Sequence, residues 1–232
     1  MRAEEREEIV RHPLLAACQA ETLDLLLQGA FVQRFPAHTQ LTREGEKADF
    51  LYAVLSGAIE LAASWLDRET TIAVIGPPHT FIVAAVALDR LYLQSARVLE
   101  PSRILMLPAA PIRKAMRTDA GFATAIAEEM ANAYRNVAQE LKNQKLRTSL
   151  ERLANWLVHR DKETGGGHRF IIPFEKKILA ARLGMAPEAL SRAFATLVKY
   201  DVRIDGATVV VKDWAALEKL AHPDPLIDDE TI

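Results

Sequence analysis

The fold is decided by residues 175–211, EKKILAARLGMAPEALSRAFATLVKYDVRIDGATVVV. The first part has apolar residues at helical spacing and ends at Gly184, which permits the positive φ found at helix C-termini. Pro187 suits the first turn of a second helix. The last residues alternate around a glycine and predict a short β-ribbon. This order predicts a winged helix-turn-helix, whose second helix is shaped to enter the major groove of DNA.

The second helix carries three polar side chains on one face. Glu188, Ser191 and Arg192 stand at positions i, i+3 and i+4, so they project from the same side. A carboxylate can accept a hydrogen bond from cytosine N4, a guanidinium can pair with guanine O6 and N7, and a hydroxyl can bind a base or a phosphate. We therefore expect these three residues to contact DNA bases.

Basic residues are concentrated in the same part of the chain. The formal net charge is −2, yet residues 147–220 carry 13 Lys and Arg against 9 Asp and Glu. A solvated face would explain so small a surplus. The position of this basic surplus favours phosphate contacts. We assign these contacts to four residues that flank the second helix: Lys176, Lys177, Lys199 and Arg203.

The composition is that of an ordinary globular protein, with 50% hydrophobic and 26% charged residues in a chain of 232. No apolar run approaches the roughly 18 residues that span a bilayer, and the charged N-terminus does not resemble a signal peptide. We expect a cytoplasmic protein without a membrane partner. Cys18 is the single cysteine, which excludes an internal disulfide and is too few for an iron–sulfur cluster or a structural zinc site.

The first half of the chain predicts a β domain preceded by a helix over residues 14–30. Short β-rich segments, such as FLYAVL, AIELAASWL, TTIAVI and RILMLP, recur between Phe31 and Leu107 and are separated by glycines and prolines. This pattern predicts a small antiparallel barrel or jelly roll. The predicted class is α+β, with a sensor domain over 1–112, a long helix over 113–146 and the winged helix-turn-helix over 147–232.

A helical pattern runs from about Ala110 to Val158, with a break expected near residues 143–148. The long helix before this break carries a short apolar seam. Met130, Tyr134, Val137 and Leu141 step by four, three and four residues, as the a and d positions of a coiled coil do. Such a stripe can be part of a core. It can also be the interface of a homodimer, which a winged helix that binds a palindrome usually requires.

The order of barrel, long helix and winged helix resembles the CRP/FNR superfamily of bacterial transcription regulators. The resemblance covers nearly the whole chain and is carried by LTREGEKADFLYAVLSGAIEL (41–61) and by GMAPEALSRAFATLVKYDVRIDGATVVV (184–211). The Glu-x-x-Ser-Arg pattern of the FNR branch falls on Glu188, Ser191 and Arg192. It implies a homodimer that reads a palindrome of TTGA-like half-sites and contacts RNA polymerase. Pro187 stands where some relatives have a basic residue, so a contact just before Glu188 is in doubt.

The sensor domain departs from the cAMP receptors of this superfamily. Their phosphate-binding sequence resembles Phe-Gly-Glu followed by Arg-Ser, whereas here Phe81 is followed by IVA and the pair is Gln94-Ser95. The phosphate would lose its charge-assisted partner, and Arg97 could replace it only with a shift in register. Cyclic AMP is therefore not expected, and neither is an iron–sulfur cluster.

Haem, as a sensor of gas or redox state, stays open from the sequence. His79 is the best candidate for an axial ligand, with His12 or His38 as a second. The apolar run IVAAVALDRLYL (82–93) could line a haem pocket or simply be core. A lone histidine is more often a surface residue or a satisfied core residue.

Two other functions compete with DNA-binding regulation. An enzyme is disfavoured, because no paired carboxylates, nucleophile triad, metal motif or glycine-rich phosphate loop stands in a supporting context. The remaining alternative is a ligand-binding module of a signalling assembly, in which the winged helix contacts protein.

Overall fold

The computed structural model describes residues 3–229, which divide into two compact units between Ala133 and Tyr134. The first unit is mainly antiparallel β-structure, and the second contains a helix-turn-helix with a β-ribbon. The predicted α+β class is confirmed. The domain limits predicted at residues 112 and 146 stay predictions. The boundary between the two units lies elsewhere, inside a helix, and does not test them.

Two four-stranded antiparallel sheets form the first unit, with strand orders β1-β8-β3-β6 and β2-β7-β4-β5. The predicted strands FLYAVL, AIELAASWL, TTIAVI and RILMLP correspond to β3, β4, β5 and β8. The strands are β1 (Phe31–Phe35), β2 (Gln40–Thr42), β3 (Phe50–Ser56), β4 (Ile59–Trp65), β5 (Arg68–Ile75), β6 (Thr80–Phe81), β7 (Ser95–Val98) and β8 (Ser102–Pro108). The helices are α1 (Ala3–Val10), α2 (Pro13–Ala16), α3 (Ala20–Gln28), α4 (Val83–Leu88), α5 (Ala109–Thr118) and the first part of α6 (Ala120–Leu146).

The core of the first unit is apolar, and side-chain alternation selects it. On β4, Ile59 and Leu61 are buried in this core, and on the neighbouring β7 Ala96 and Val98 join them. Because successive side chains of a strand point to opposite faces, the residues between them face away from the core.

The second unit holds the rest of α6 and the predicted winged helix-turn-helix. Leu157, Leu179, Leu190, Leu197 and Val209 are among its fully buried side chains. A three-stranded sheet of order β10-β11-β9 packs with the helices. The elements are α7 (Ser149–Glu163), β9 (Arg169–Ile171), α8 (Lys176–Arg182), α9 (Pro187–Leu197), a 3-10 turn (Val198–Tyr200), β10 (Val202–Asp205), β11 (Thr208–Val211), α10 (Trp214–Ala221) and α11 (Pro225–Asp228).

Two helical predictions were wrong in detail. The helix expected over residues 14–30 is divided into α2 and α3, and the helical pattern expected from about Ala110 to Val158 has an additional break at Asp119, between α5 and α6. Asp119 causes the second difference, because its buried carboxylate accepts a hydrogen bond from the backbone N–H of Phe122 at 3.1 Å, which is the bond of a helix N-cap. The other oxygen accepts from the backbone N–H of Gln19 at 2.8 Å and holds the cap in place. The predicted break near residues 143–148 is present, where Thr148 and Glu151 form a capping box.

Glycine is required at one corner of the barrel more than at another. Gly57, between β3 and β4, has a φ of +92°, and a Cβ placed on it would lie 2.8 Å from the Cα of Ser102. Gly45 has a φ of +83°, but a Cβ there would meet no atom within 4 Å. A side chain at Gly57 would therefore cause both backbone strain and a steric clash, whereas a side chain at Gly45 would cause backbone strain alone.

We predict that Gly57→Ala destabilises the protein by about 2 to 5 kcal/mol, because left-handed strain and overpacking add. Gly45→Ala is the matched control and should cost only about 1 to 2 kcal/mol, from strain alone. Urea denaturation of the full chain, followed by circular dichroism, measures both. Equal losses for the two variants would contradict the clash at Ser102.

Candidate nucleic-acid interface

Helix α9 has one buried face and one exposed face. Pro187 occupies its first turn, and Leu190, Ala193, Phe194 and Leu197 are buried in the core of the second unit. This spacing anchors the helix along one side. The opposite side is left for a partner.

The three predicted base-contacting residues lie on that exposed face. Glu188, Ser191 and Arg192 are all exposed, and neither Glu188 nor Arg192 forms an ion pair with any residue between 3 and 229. The Ser191 hydroxyl donates to the carbonyl of Pro187 at 3.0 Å, which leaves its oxygen lone pairs able to accept. The structure thus brings together a carboxylate, a hydroxyl and a guanidinium on one helix face, as the sequence predicted. Whether they contact DNA stays a prediction.

A buried arginine holds the turn that precedes α9. The guanidinium of Arg152 donates to the carbonyl of Leu183 at 2.8 Å and to that of Gly184 at 3.4 Å. Gly184 has a φ of +61°, which explains the glycine at this turn. Sequence reasoning missed Arg152. The available signal was a basic residue within the apolar pattern of α7.

The four predicted phosphate contacts are exposed cations on elements that precede or follow α9 in the chain. Lys176 and Lys177 begin α8, Lys199 lies in the 3-10 turn after α9, and Arg203 lies on β10. The Lys176 ammonium stands 5.8 Å from the centre of the Phe194 ring, in a cation–π contact that favours one position for this charge. A shallow depression of about 300 Å³ between α9 and β10 includes Lys176 and Ser191 in its lining.

The tip of the β-ribbon is acidic. β10 and β11 pair antiparallel with Asp205 opposite Thr208, and Gly206 takes a φ of +59° in the turn between them. Asp205 is exposed. A carboxylate here disfavours phosphate, so the β-ribbon of this chain is a poor phosphate clamp at its tip. The sequence predictions did not include this residue.

The backbone is unusual directly after Phe81, where the cAMP receptors have the glycine of their phosphate-binding sequence. Ile82 has a φ of +68°, the left-handed region that suits glycine and is rare for a β-branched side chain. Ser95 accepts a hydrogen bond from the backbone of Glu44 at 3.0 Å. Neither side chain supplies a positive charge for a phosphate.

Arg97 is committed to another partner. Its guanidinium binds the buried carboxylate of Glu60 at 2.7 Å and that of Glu69 at 3.1 Å, on the face of the sheet away from the core. The carboxylate of Glu60 also accepts from the Thr71 hydroxyl at 2.5 Å. Arg97 is therefore already paired and does not take the place of the missing phosphate ligand.

The three histidines considered as haem ligands do not form a haem site. His79 and His38 are exposed. His12 is buried, its Nδ1 accepts from the backbone of Leu14 at 3.3 Å, and burial lowers its pKa. The apolar run after Phe81 is divided, since Val86 and Tyr92 are buried in the core while Leu88, Leu91 and Leu93 are exposed. These residues do not fit a haem with His79 as its axial ligand.

The apolar seam of α6 is exposed along most of its length. Tyr134, Val137 and Leu141 are 75%, 65% and 54% exposed, whereas Met130 packs in part against the core of the first unit. An unpartnered row of large apolar side chains on one helix face is typical of an interaction surface.

No group of three or more potential metal ligands lies together among residues 3–229, and no helix in that range is both long and apolar enough to cross a bilayer. Cys18 is half-buried, and burial together with the charge of Asp119 raises the pKa of its thiol to about 11.

We predict that Cys18 reacts slowly with thiol reagents near neutral pH. A pKa of about 11, against an ordinary 9.0, reduces the thiolate fraction about 100-fold, and the thiolate is the nucleophile. The rate of modification by a chromogenic disulfide at pH 8 measures this. The same protein unfolded in urea is the control and should react at the rate of a free cysteine. Rapid reaction of the folded protein would show that burial does not protect the thiol.

Comparison with known proteins agrees with this architecture. A cyclic nucleotide-binding domain model matches residues 32–119, and a Crp-like helix-turn-helix domain model matches residues 151–220. No curated protein is similar enough to count as a significant match.

Solved structures share the fold. A transcriptional regulator of the CRP/FNR family from Eubacterium rectale has 19% identity and a TM-score of 0.76, over 91% of this chain and 98% of that one. FixK2 from Bradyrhizobium japonicum has 19% identity and a TM-score of 0.73, over 84% and 98%. The c-di-GMP-responsive regulator CLP from Xanthomonas campestris has 19% identity and a TM-score of 0.71, over 83% and 99%. With a cyclic nucleotide-binding domain followed by a Crp-like helix-turn-helix, the chain belongs to the CRP/FNR type of DNA-binding transcription regulators.

Proposed function

We propose that the protein is a homodimeric regulator that binds a palindrome of TTGA-like half-sites and contacts RNA polymerase at its promoters. One observation carries this proposal: Glu188, Ser191 and Arg192 form an exposed polar stripe on a helix whose other face is buried. The residue types suit cytosine N4, a base or phosphate, and guanine O6 and N7. The exposed cations on the neighbouring elements, Lys176, Lys177, Lys199 and Arg203, have charges suited to phosphates.

The seam on α6 supports the dimer. Tyr134, Val137 and Leu141 recur at coiled-coil spacing and are exposed to solvent in the single chain. A symmetric pair of such helices would bury these side chains and place two copies of α9 on half-sites one helical turn, about 34 Å, apart. Each half-site would then be read by one protomer.

The sensor domain supports an input other than cAMP. Ile82 and Gln94 stand where the cAMP receptors of the superfamily have the glycine and the arginine of their phosphate-binding sequence. Arg97 is bound to Glu60. Apolar side chains form the core of this unit. We infer a regulator whose input is not cAMP. A binding function, rather than catalysis, is consistent with this architecture.

Arg192→Ala tests the role of the exposed stripe. Loss of a bidentate guanine contact should cost about 1 to 3 kcal/mol on the specific site and leave non-specific binding nearly unchanged. Electrophoretic shifts with a TTGAT-N4-ATCAA duplex and with a scrambled duplex, at one fixed salt concentration, measure both.

Lys162→Ala is the matched control, since it removes an exposed cation from α7, outside α9 and the β-ribbon. It should leave the ratio of specific to non-specific affinity unchanged. Equal losses on both duplexes for Arg192→Ala would remove this residue from base recognition. No binding of the wild-type protein to the palindrome would favour the alternative in which the winged helix contacts protein.

Leu141→Asp tests the dimer. A charge placed in the seam would be desolvated in the interface, so the variant should sediment as a monomer at concentrations where the wild type is a dimer. Sedimentation velocity measures the change. Asn132→Asp, exposed and on the side of α6 opposite to the seam, is the control and should remain dimeric. If Leu141→Asp leaves the sedimentation coefficient unchanged, the seam is not the interface.

A further inference from the structure

A buried ion pair lies at the joint between α6 and α7. Arg147 occupies this joint, and its two terminal nitrogens each stand 2.6 Å from a carboxylate oxygen of Asp228 in α11. The side chains are only 6% and 9% exposed. A bidentate pair of this kind fixes both distance and orientation.

The residues around Asp228 are attached to both helices at this joint. We call residues 222–229 the C-terminal clasp. From α6, Gln139 donates to the carbonyl of Asp229 at 2.8 Å and Lys142 to that of Leu226 at 3.0 Å. From α7, a ring nitrogen of His159 lies 3.0 Å from the carbonyl of Asp228. The clasp therefore fastens the end of one helix to the side of the next.

The ion pair connects to the turn of the helix-turn-helix through a second arginine. Arg152 donates to the carbonyl of Arg147 at 2.7 Å and, with the same guanidinium, to that of Leu183 at 2.8 Å. Both arginines are buried. A continuous set of charge-assisted hydrogen bonds thus runs from the clasp through the joint to the turn before α9.

The pair is charged at neutral pH. Burial raises the pKa of Asp228, but hydrogen bonds from Arg147, the backbone of Asp224 and other groups lower it by more, so it lies below its ordinary value. A buried ion pair is weak evidence for stability, since apolar residues of similar size often serve as well. The two hydrogen bonds fix the orientation of Arg147 relative to Asp228, so the pair is better suited to setting the angle between the elements that carry it.

We propose that Arg147 and Asp228 are positioning residues for DNA recognition: they set the angle between α9 and the Tyr134–Leu146 part of α6, and thereby select the spacing between half-sites. The inference rests on the proposed dimeric DNA recognition. Each added base pair moves the second half-site by about 3.4 Å and rotates it by about 35°. A dimer with a fixed angle at this joint fits one spacing, whereas a dimer with a loose joint tolerates several.

The experiment measures the affinity of the full-length protein for palindromes with TTGAT and ATCAA arms and spacers of different length, and for a duplex with one arm. The wild type should prefer one spacing by about tenfold or more. Asp228→Ala and the milder Asp228→Asn should reduce that preference to about two- to threefold, with little change on the single arm. Glu163→Gln, which removes the same charge from an exposed pair with Arg160, is the control and should keep the wild-type preference.

A double variant separates positioning from stability. In Arg147→Met with Asp228→Leu, apolar packing should return the melting temperature toward that of the wild type, yet the spacing preference should remain relaxed. An unchanged spacing preference in all these variants would overturn the inference and leave the proposed function intact. Failure of the wild type to bind any of the palindromes would instead overturn the proposed function, and this inference with it.

Discussion

The burial of one face of α9 is the constraint on which the second unit depends. Leu190, Phe194 and Leu197 are held in the core by α7, α8 and the β-ribbon, so the helix cannot rotate about its axis without exposing them. That restriction decides which side chains face outward. The turn before α9 is held from below by buried Arg152, which donates to the carbonyls of Leu183 and Gly184. The orientation of Glu188 and Arg192, on which their proposed base contacts depend, is in this sense a consequence of the packing beneath them.

In the first unit, the arginine nearest to the expected phosphate site is paired with carboxylates of the same sheet. Its charged residues of interest, Arg97 and Glu60, satisfy each other on the outer face of a sheet, while Ile59, Leu61 and Val98 fill the inside. An arginine on β7 is therefore not evidence of a phosphate site. The side of the strand to which it points decides its role, and pairing with β4 decides the side.

The winged helix-turn-helix could be predicted because its signals are local. Gly184, Pro187 and the ribbon glycine Gly206 each mark a boundary within a few residues of where it occurs. The break at Asp119 was missed although an Asp that can cap the backbone N–H three residues later is a local signal, whereas its second bond, from the backbone of Gln19, 100 residues away, could not be predicted. Arg147 and Asp228 are 81 residues apart, and nothing in the spacing of either residue indicates the other. Interactions of this kind depend on the completed fold, and so does the exposure that distinguishes Tyr134 from Met130 on one seam.

Because the second unit has only a small surplus of positive charge, the proposed DNA recognition would depend mainly on geometry. A surplus of a few cations, a count that already includes Asp205 at the tip of the ribbon among the acidic residues, gives weak attraction for DNA of arbitrary sequence, because that attraction grows with the number of phosphates neutralised. In the proposed function, base contacts by Glu188 and Arg192 would add discrimination at each half-site, but one half-site offers few of them. Tight and selective binding would then require two correctly spaced copies of α9. The angle that Arg147 is proposed to set would determine how much of each base contact is retained when the second half-site is engaged, since a helix held at the wrong angle loses hydrogen bonds that depend on direction.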